Sequence, residues 1–267
     1  MPAIELREIS FAFNARPVLN RISLSIAAGE RAAVIGPNGV GKTTLLKLMS
    51  GVLTPTQGSV LLVGRPLASI SRRELARKIA VVPQEFVVPF AFTARELVEL
   101  GRTPHLDFLA GVGAADRHAV DRAMELSDTV ALADRIFNEL SGGERQRLMI
   151  AMAVAQEPEI LLLDEPTQQL DITRQAEILD LVAGLNRHQS LTVVTAIHDL
   201  NLAARYFERI IVLHGGSVLA DGPPADVLSG NLLQEAFEGP VEVLSSDTNH
   251  LPVVLPVPRM LSDERKP

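Results

Sequence analysis

The chain has 267 residues, 47% of them hydrophobic, with 32 Asp and Glu against 25 Lys and Arg for a net charge of −7, and no cysteine. That is enough apolar material for one large domain, or one domain carrying an insertion, and too much for a small scaffold. Disulfides and thiolate metal sites are excluded, which fits a reducing compartment, and the acidic balance argues against a broad phosphate-backbone footprint, so nucleic acid is not an expected partner.

In chain order, Ile4, Leu6, Ile9, Phe11 and Phe13, then Leu19, Ile22, Leu24 and Ile26, alternate as two half-buried strands with a turn at residues 14–17. The N-terminal segment therefore reads as strand rather than as a basic patch and apolar leader, and no apolar run approaches the ~18 residues of a membrane span. Residues 32–35 form a buried strand that runs into Gly36-Pro37-Asn38-Gly39-Val40-Gly41-Lys42-Thr43 and a helix from Thr44 onward. In such a strand, glycine loop and helix, backbone N–H groups converge on phosphate oxygens and the helix N-terminus adds its positive dipole end. Lys42 can reach the outer phosphates and Thr43 can offer a hydroxyl to Mg²⁺. This is a Walker A loop, or P-loop.

Gly51 and Pro55 break the chain, and residues 59–63 read as a strand closed by Gly64-Arg65-Pro66. A short charged helix over 71–78 precedes a buried strand over 79–82 that ends at Pro83-Gln84. Residues 86–92 are uncharged and match neither helical nor strand period. Thr93 with Glu96 makes a capping-box signature, and no long β-rich run appears from there to about Gln156, which predicts an inserted helical region with a loop at 111–113. Residues 160–163 return to strand and end at Asp164-Glu165-Pro166; 172–185 are helical; 191–197 are a buried strand ending at His198. The alternation predicts a mostly parallel sheet with ligands at the strands' carboxyl ends. Residues 209–213 and 217–220 flank His214-Gly215-Gly216 as a hairpin, two short helices close the domain near Phe237, and residues 241–267, rich in proline and ending in charges, are expected to be a loosely held tail.

Asp164 and Glu165 directly follow an apolar strand, where one carboxylate can hold Mg²⁺ and its neighbour can polarise a water aimed at the terminal phosphate. That is a Walker B arrangement, with Glu165 the candidate general base. In Leu140-Ser141-Gly142-Gly143-Glu144-Arg145-Gln146, Ser141 and Glu144 satisfy a capping box, and a helix opening on Ser-Gly-Gly also offers unobstructed backbone donors as a second phosphate site. With these strings together, the sequence resembles the ATP-binding subunit of an ABC transporter, over nearly the whole chain to about residue 240.

The resemblance implies an α/β P-loop NTPase (RecA-like) core with a mostly parallel sheet, an N-terminal antiparallel β subdomain and an inserted helical subdomain at about 86–157, within an ATPase domain spanning 1–240. It implies ATP and Mg²⁺ as ligands, Gln84 as the Q-loop glutamine sensing Mg²⁺ and a membrane partner, His198 as the switch histidine at the γ-phosphate, and catalysis by Glu165, His198 and Lys42. Nucleotide contacts carry over to Phe13, Gly36, Pro37, Asn38, Gly39, Val40, Gly41, Lys42, Thr43, Thr44, Gln84, Ser141, Gly142, Gly143, Glu144 and Asp171, and Mg²⁺ ligands to Thr43, Gln84 and Asp164. Phe13 is the adenine-stacking candidate with Phe11 as the alternative, and neither carries the hydroxyl the family often has there. Gln168-Gln169 replace smaller residues of the family pattern, so their contacts do not carry over. The resemblance also implies a head-to-tail homodimer, polytopic permease subunits, an indirect substrate-binding protein, and a peripheral place on the cytoplasmic face of the cell (inner) membrane; the uncharged 86–92 stretch between Gln84 and the helical insertion is a candidate docking surface for a membrane subunit's cytoplasmic helix, with buried core as the alternative. Residues 92–98 with Gly101-Arg102-Thr103-Pro104-His105, and residues 221–228, are similar to ATPases of importers for iron-siderophore, haem and cobalamin. A soluble non-transport ABC ATPase and an exporter ATPase stay open as alternatives.

Overall fold

A computed structural model describes residues 2–106, 111–245 and 251–257 of the protein. The chain opens with β1 (Pro2–Phe13) and β2 (Arg16–Ala27), joined by a turn in which Asn14 and Ala15 both take positive φ, the handedness that suits a twisted hairpin. Next come β3 (Arg31–Ile35), α1 (Lys42–Met49), β4 (Gln57–Leu62), the short β5 (Arg65–Pro66), α2 (Arg72–Lys78) and β6 (Ile79–Val82). The helical insertion supplies α3 (Ala94–Leu100), α4 (Ala114–Leu126) and α5 (Gly142–Ala155). The chain then returns to β7 (Ile160–Asp164), α6 (Ile172–Gln189), β8 (Thr192–Ala196), α7 (Leu200–Tyr206), β9 (Arg209–His214) and β10 (Ser217–Gly222). It ends with α8 (Pro224–Val227), α9 (Gly230–Phe237), β11 (Val241–Ser245) and β12 (Pro252–Pro256).

These strands form a four-stranded antiparallel sheet in the order β2-β1-β4-β5 and a six-stranded sheet in the order β10-β9-β3-β8-β7-β6, parallel except for β10. The period-two alternation of the central strands divides the core in two. Ala32, Val34, Ile160, Leu162 and Val194 face α1 and the antiparallel sheet, meeting Leu45, Leu46, Ile4 and Leu6. Ala33, Ile35, Leu161, Leu163 and Val193 face the other way, onto Leu148 and Ile150 of α5 and Ile178 and Val182 of α6. Each leucine so buried contributes about 1.5–3 kcal/mol, which is why the apolar run of β7 can hold two carboxylates at its end.

The insertion is fastened to the core by the Gly101–His105 string. Gly101 is where α3 meets α5 so closely that an added Cβ would lie 2.2 Å from the Met152 carbonyl oxygen. The buried Arg102 binds Asp116 at 3.0 Å, Glu157 at 2.8 Å and the Ala155 carbonyl at 2.6 Å. Arg73 and Arg77 of α2 each donate Nε to the Pro104 carbonyl at 2.9 Å, and His105 Nε2 pairs with the Gln156 carbonyl at 2.9 Å.

Two expectations change. The helix expected over 172–185 runs on to Gln189. The segment expected to be a loosely held tail instead pairs β11 with β12, and the Asn201 side chain grips Val254 on both sides, accepting from its N–H at 2.8 Å and donating to its carbonyl at 3.2 Å. Val254 is thereby buried against the core of α7, whereas residues 246–250 and 258–267 lie outside the described residues.

Candidate functional site

Four neighbouring parallel strands, β3, β8, β7 and β6, end side by side, and each delivers a predicted group to the same edge: the glycine loop, His198, Asp164 with Glu165, and Gln84. There all of these but Asp164 line a cavity of about 780 Å³. Asn38, Gly39, Gly41, Lys42, Thr43 and Thr44 form its floor, Gln84, Glu165 and His198 one wall, and Phe13 another. Val18 and Gln168 also line it, and neither was identified from sequence as a site residue. Phe11, the alternative to Phe13, is only 8% exposed and belongs to the core, whereas Phe13 is 49% exposed and turned to the cavity.

The loop is built by glycine. Gly36 takes φ +149° and passes so close to β9 that a Cβ would stand 2.4 Å from the Leu213 carbonyl oxygen. The α1 helix starts at Lys42 with no side chain capping it, so its first N–H groups are available to an anion. Lys42 folds back to donate to the carbonyls of Gly36 at 2.9 Å and Pro37 at 3.2 Å. Burial pushes its ammonium pKa down, an effect opposed by the carboxylates of Glu165 and Asp164. Pro37 and Val40 line a neighbouring cleft of about 400 Å³ with His214 instead of this cavity.

Asp164 is 6% exposed and receives the Thr43 hydroxyl at 3.1 Å. Burial raises its carboxyl pKa, the hydrogen bond from Thr43 opposes that, and the Glu165 charge adds to it. A carboxylate held in this way, next to a hydroxyl and with phosphate oxygens to come from a ligand, fits Mg²⁺, which takes one or two carboxylates and fills its shell with phosphate and water. The sign of the shift also predicts a stability effect. The folded state holds the Asp164 proton more tightly than the unfolded state, so stability falls as pH rises through the carboxyl's range, and at neutral pH the fold carries the cost of the buried charge. Asp164→Asn should raise the melting temperature of the nucleotide-free chain at pH 7. Thermal melts should show that gain shrinking as pH falls through the raised range of the folded carboxyl and vanishing below about 4, the ordinary aspartate pKa that the unfolded chain keeps.

Glu165 sits in left-handed backbone at φ 52°, held by its N–H on the Ala196 carbonyl at 3.0 Å. For a non-glycine residue this conformation costs about 1–2 kcal/mol. It turns the side chain back across the strand ends, where one carboxylate oxygen pairs with His198 Nε2 and the other accepts from Gln84 Nε2 at 2.8 Å.

The remaining predicted residues lie elsewhere. Ser141 accepts from the Glu144 N–H at 3.4 Å, and the Glu144 carboxylate accepts from the Ser141 N–H at 2.8 Å, so the capping box is closed at the start of α5. The Ser141 N–H, and after it the Ser141 hydroxyl donating to the same carboxylate oxygen at 2.7 Å, hold the Glu144 carboxyl below its usual range. Asp171 caps α6 by accepting from the Arg174 N–H at 2.9 Å. Ser141, Gly142, Gly143, Glu144 and Asp171 do not line the cavity that the glycine loop builds.

A family model for ABC transporters matches residues 19–168. The hemin import ATP-binding protein HmuV of Nocardia farcinica (strain IFM 10152) is 44% identical over 248 residues, 91% of this chain and 83% of its own. The iron(3+)-hydroxamate import ATP-binding protein FhuC of Bacillus subtilis (strain 168) is 36% identical over 255 residues, 96% of this chain and 95% of its own. Among solved structures, a chain of a metal-chelate type ABC transporter in an inward-facing conformation superposes with a TM-score of 0.86 at 29% identity, covering 97% of this chain and 99% of that one.

Proposed function

The chain belongs to the ABC transporter family, and from that premise we propose that it is the ATP-hydrolysing subunit that powers import of a metal chelate, an iron-siderophore, haem or cobalamin, through partner transmembrane subunits. The observation that carries the hydrolytic part is the convergence of the glycine loop, Asp164, Glu165, His198 and Gln84 at four adjacent strand ends. The import class rests on the relatives, whose names specify hemin and iron(3+)-hydroxamate import.

In this reading, Phe13 offers an exposed ring to stack on adenine. The free N–H groups at the start of α1 and the Lys42 ammonium, released from the carbonyls of Gly36 and Pro37, hold the phosphates. Thr43, Asp164 and Gln84 would hold Mg²⁺, which would supply positive charge to offset what develops on the phosphates during hydrolysis. Glu165 accepts the proton of the attacking water, and His198 fixes the carboxylate's orientation through its ring nitrogen. Ser141, Gly142 and Gly143 complete the site from a second copy of the chain, since in their own subunit they lie outside the cavity.

The stretch after Gln84 is proposed as the permease docking surface. Val87 is 83% exposed and Phe90 69% exposed, while Val88 is buried and anchors the segment. Among the described residues no helix is long and apolar enough to cross a membrane, so the membrane part of the work is assigned to the partner. At native levels the chain should co-purify with a polytopic membrane protein, and Phe90→Asp should weaken that association at least tenfold while the isolated chain hydrolyses ATP at its wild-type rate. Recovery of the wild type as a partner-free soluble assembly would sink the transport reading and leave the ATPase reading standing.

A further inference from the structure

Gln168 lies at the mouth of the nucleotide cavity on a turn that fixes its backbone. Its N–H donates to the Glu165 carbonyl at 3.1 Å, and the carbonyl of the buried Thr167 accepts from the Leu170 N–H at 3.4 Å and from Gln175 Nε2 at 3.3 Å. Left-handed residues stand at both ends of the turn, Glu165 at φ 52° and Gln169 at φ 62°. From this mount the Gln168 side chain extends to Gln84, whose Nε2 donates to Gln168 Oε1 at 2.9 Å as well as to Glu165 at 2.8 Å.

A side-chain amide can present either end to the space beside it, and its hydrogen-bond partners decide which. The Gln84 atom that faces the Glu165 carboxylate is the amide nitrogen, which donates to it at 2.8 Å. The second hydrogen of that nitrogen then goes to the oxygen of Gln168. Both donors of Gln84 are thereby committed to the wall, and its carbonyl oxygen, the one amide atom suited to a hard cation, is the end left for the cavity that Thr43 also lines.

We infer that Gln168 is a positioning residue that locks the Gln84 amide with its oxygen toward the cavity, and so lowers the Mg²⁺ concentration at which nucleotide is loaded. The inference rests on the nucleotide reading proposed above. A serine or asparagine at this turn is too short to make the same contact. Without it Gln84 keeps a single acceptor, a carboxylate oxygen of Glu165, and its amide is free to turn.

The test uses the whole chain and three variants: Gln168→Met, which keeps length and removes the acceptor; Gln168→Asn, one methylene shorter; and Gln168→Glu, which restores an acceptor. Fluorescent ATP binding is measured in excess EDTA and across a Mg²⁺ titration, and the Gln84 side-chain amide is followed by NMR in metal-free, nucleotide-free protein. Loss of one hydrogen bond predicts about a 3- to 10-fold higher half-saturating Mg²⁺ in Gln168→Met and Gln168→Asn, with EDTA binding within twofold of wild type. The two Gln84 amide protons should show dispersed, hydrogen-bonded shifts in wild type and in Gln168→Glu, and move to the shifts of a mobile glutamine side chain in the other two, staying inequivalent because rotation about the amide C–N bond is slow. An unchanged Mg²⁺ requirement in Gln168→Met, against a wild type that responds to Mg²⁺, overturns the inference alone. A wild type that binds no ATP overturns the functional reading beneath it.

Discussion

Glu165→Gln is expected to keep ATP bound within a few-fold of the wild-type affinity and to lower turnover by about 10²–10⁴-fold, the usual contribution of a positioned general base. The substitution is well matched to the site. One carboxylate oxygen of Glu165 pairs with His198 and the other accepts from Gln84; a glutamine can accept from Gln84 through its oxygen and donate to an unprotonated His198 nitrogen through its amide. The left-handed backbone at φ 52° is equally strained for either residue. What disappears is the charge and the capacity to take a proton. Relief of Glu165's charge also removes one of the influences that raise Asp164, so binding of the metal-nucleotide should not suffer from competition with a proton there. Single-turnover hydrolysis and equilibrium binding measured on the same preparation separate the two effects. Hydrolysis at the wild-type rate would remove Glu165 from the role of base.

Where the sequence was legible, the signal was local. The four apolar residues Ile160–Leu163 and the neighbouring strands declare a buried sheet by run and period, and the Gly36–Thr43 spacing declares a phosphate loop because the glycines there are needed by close backbone approach. Where it was not, the cause lies in contacts between distant segments. Phe11 and Phe13 share strand parity, so alternation cannot choose between them; a register shift between Phe11 and Ala12 sends Phe13 out to the cavity, its ring meeting Phe11 edge-on at 4.8 Å. The β11–β12 pair was hidden by its prolines and by the fact that it is gripped by one asparagine, Asn201, about fifty residues away. The Gly101–His105 string, informative from sequence only through resemblance, turns out to be a fastening whose partners come from α2, α4 and α5. Gln168 reaches the site only because two left-handed residues shape its turn, a feature no pattern of residue types announces.

Two variants, each inactive alone, should restore one another when mixed. Lys42→Ala removes the buried ammonium of the glycine loop, and Gly143→Asp places a carboxylate at the start of α5. Inside one protomer nothing demands glycine at 142 or 143: an added Cβ at Gly142 would meet Leu170 at 3.5 Å, an ordinary contact, and at Gly143 only the flexible Arg174 side chain at 3.3 Å. Helical glycine costs about 1 kcal/mol relative to alanine, so two in succession call for a reason outside the chain, namely something approaching the helix start closely. That something cannot be nucleotide held in the same subunit's cavity, because Ser141, Gly142 and Gly143 do not line it. A head-to-tail dimer resolves this by joining the glycine loop of each copy to the Ser141 end of the other. Each homodimer of a variant then has two defective sites. In a dimer of Lys42→Ala with Gly143→Asp, both defects fall in one site and the other is intact. Random assembly makes about half the dimers mixed, so an equimolar mixture with independent sites should recover about a quarter of the wild-type hydrolysis rate, and less if the sites must fire together. Sedimentation in ATP would show the mixed species forming. A mixture that dimerises freely yet stays as inactive as its components, with each variant folded by its melting curve, would place the complete site within a single chain and dismiss the shared one.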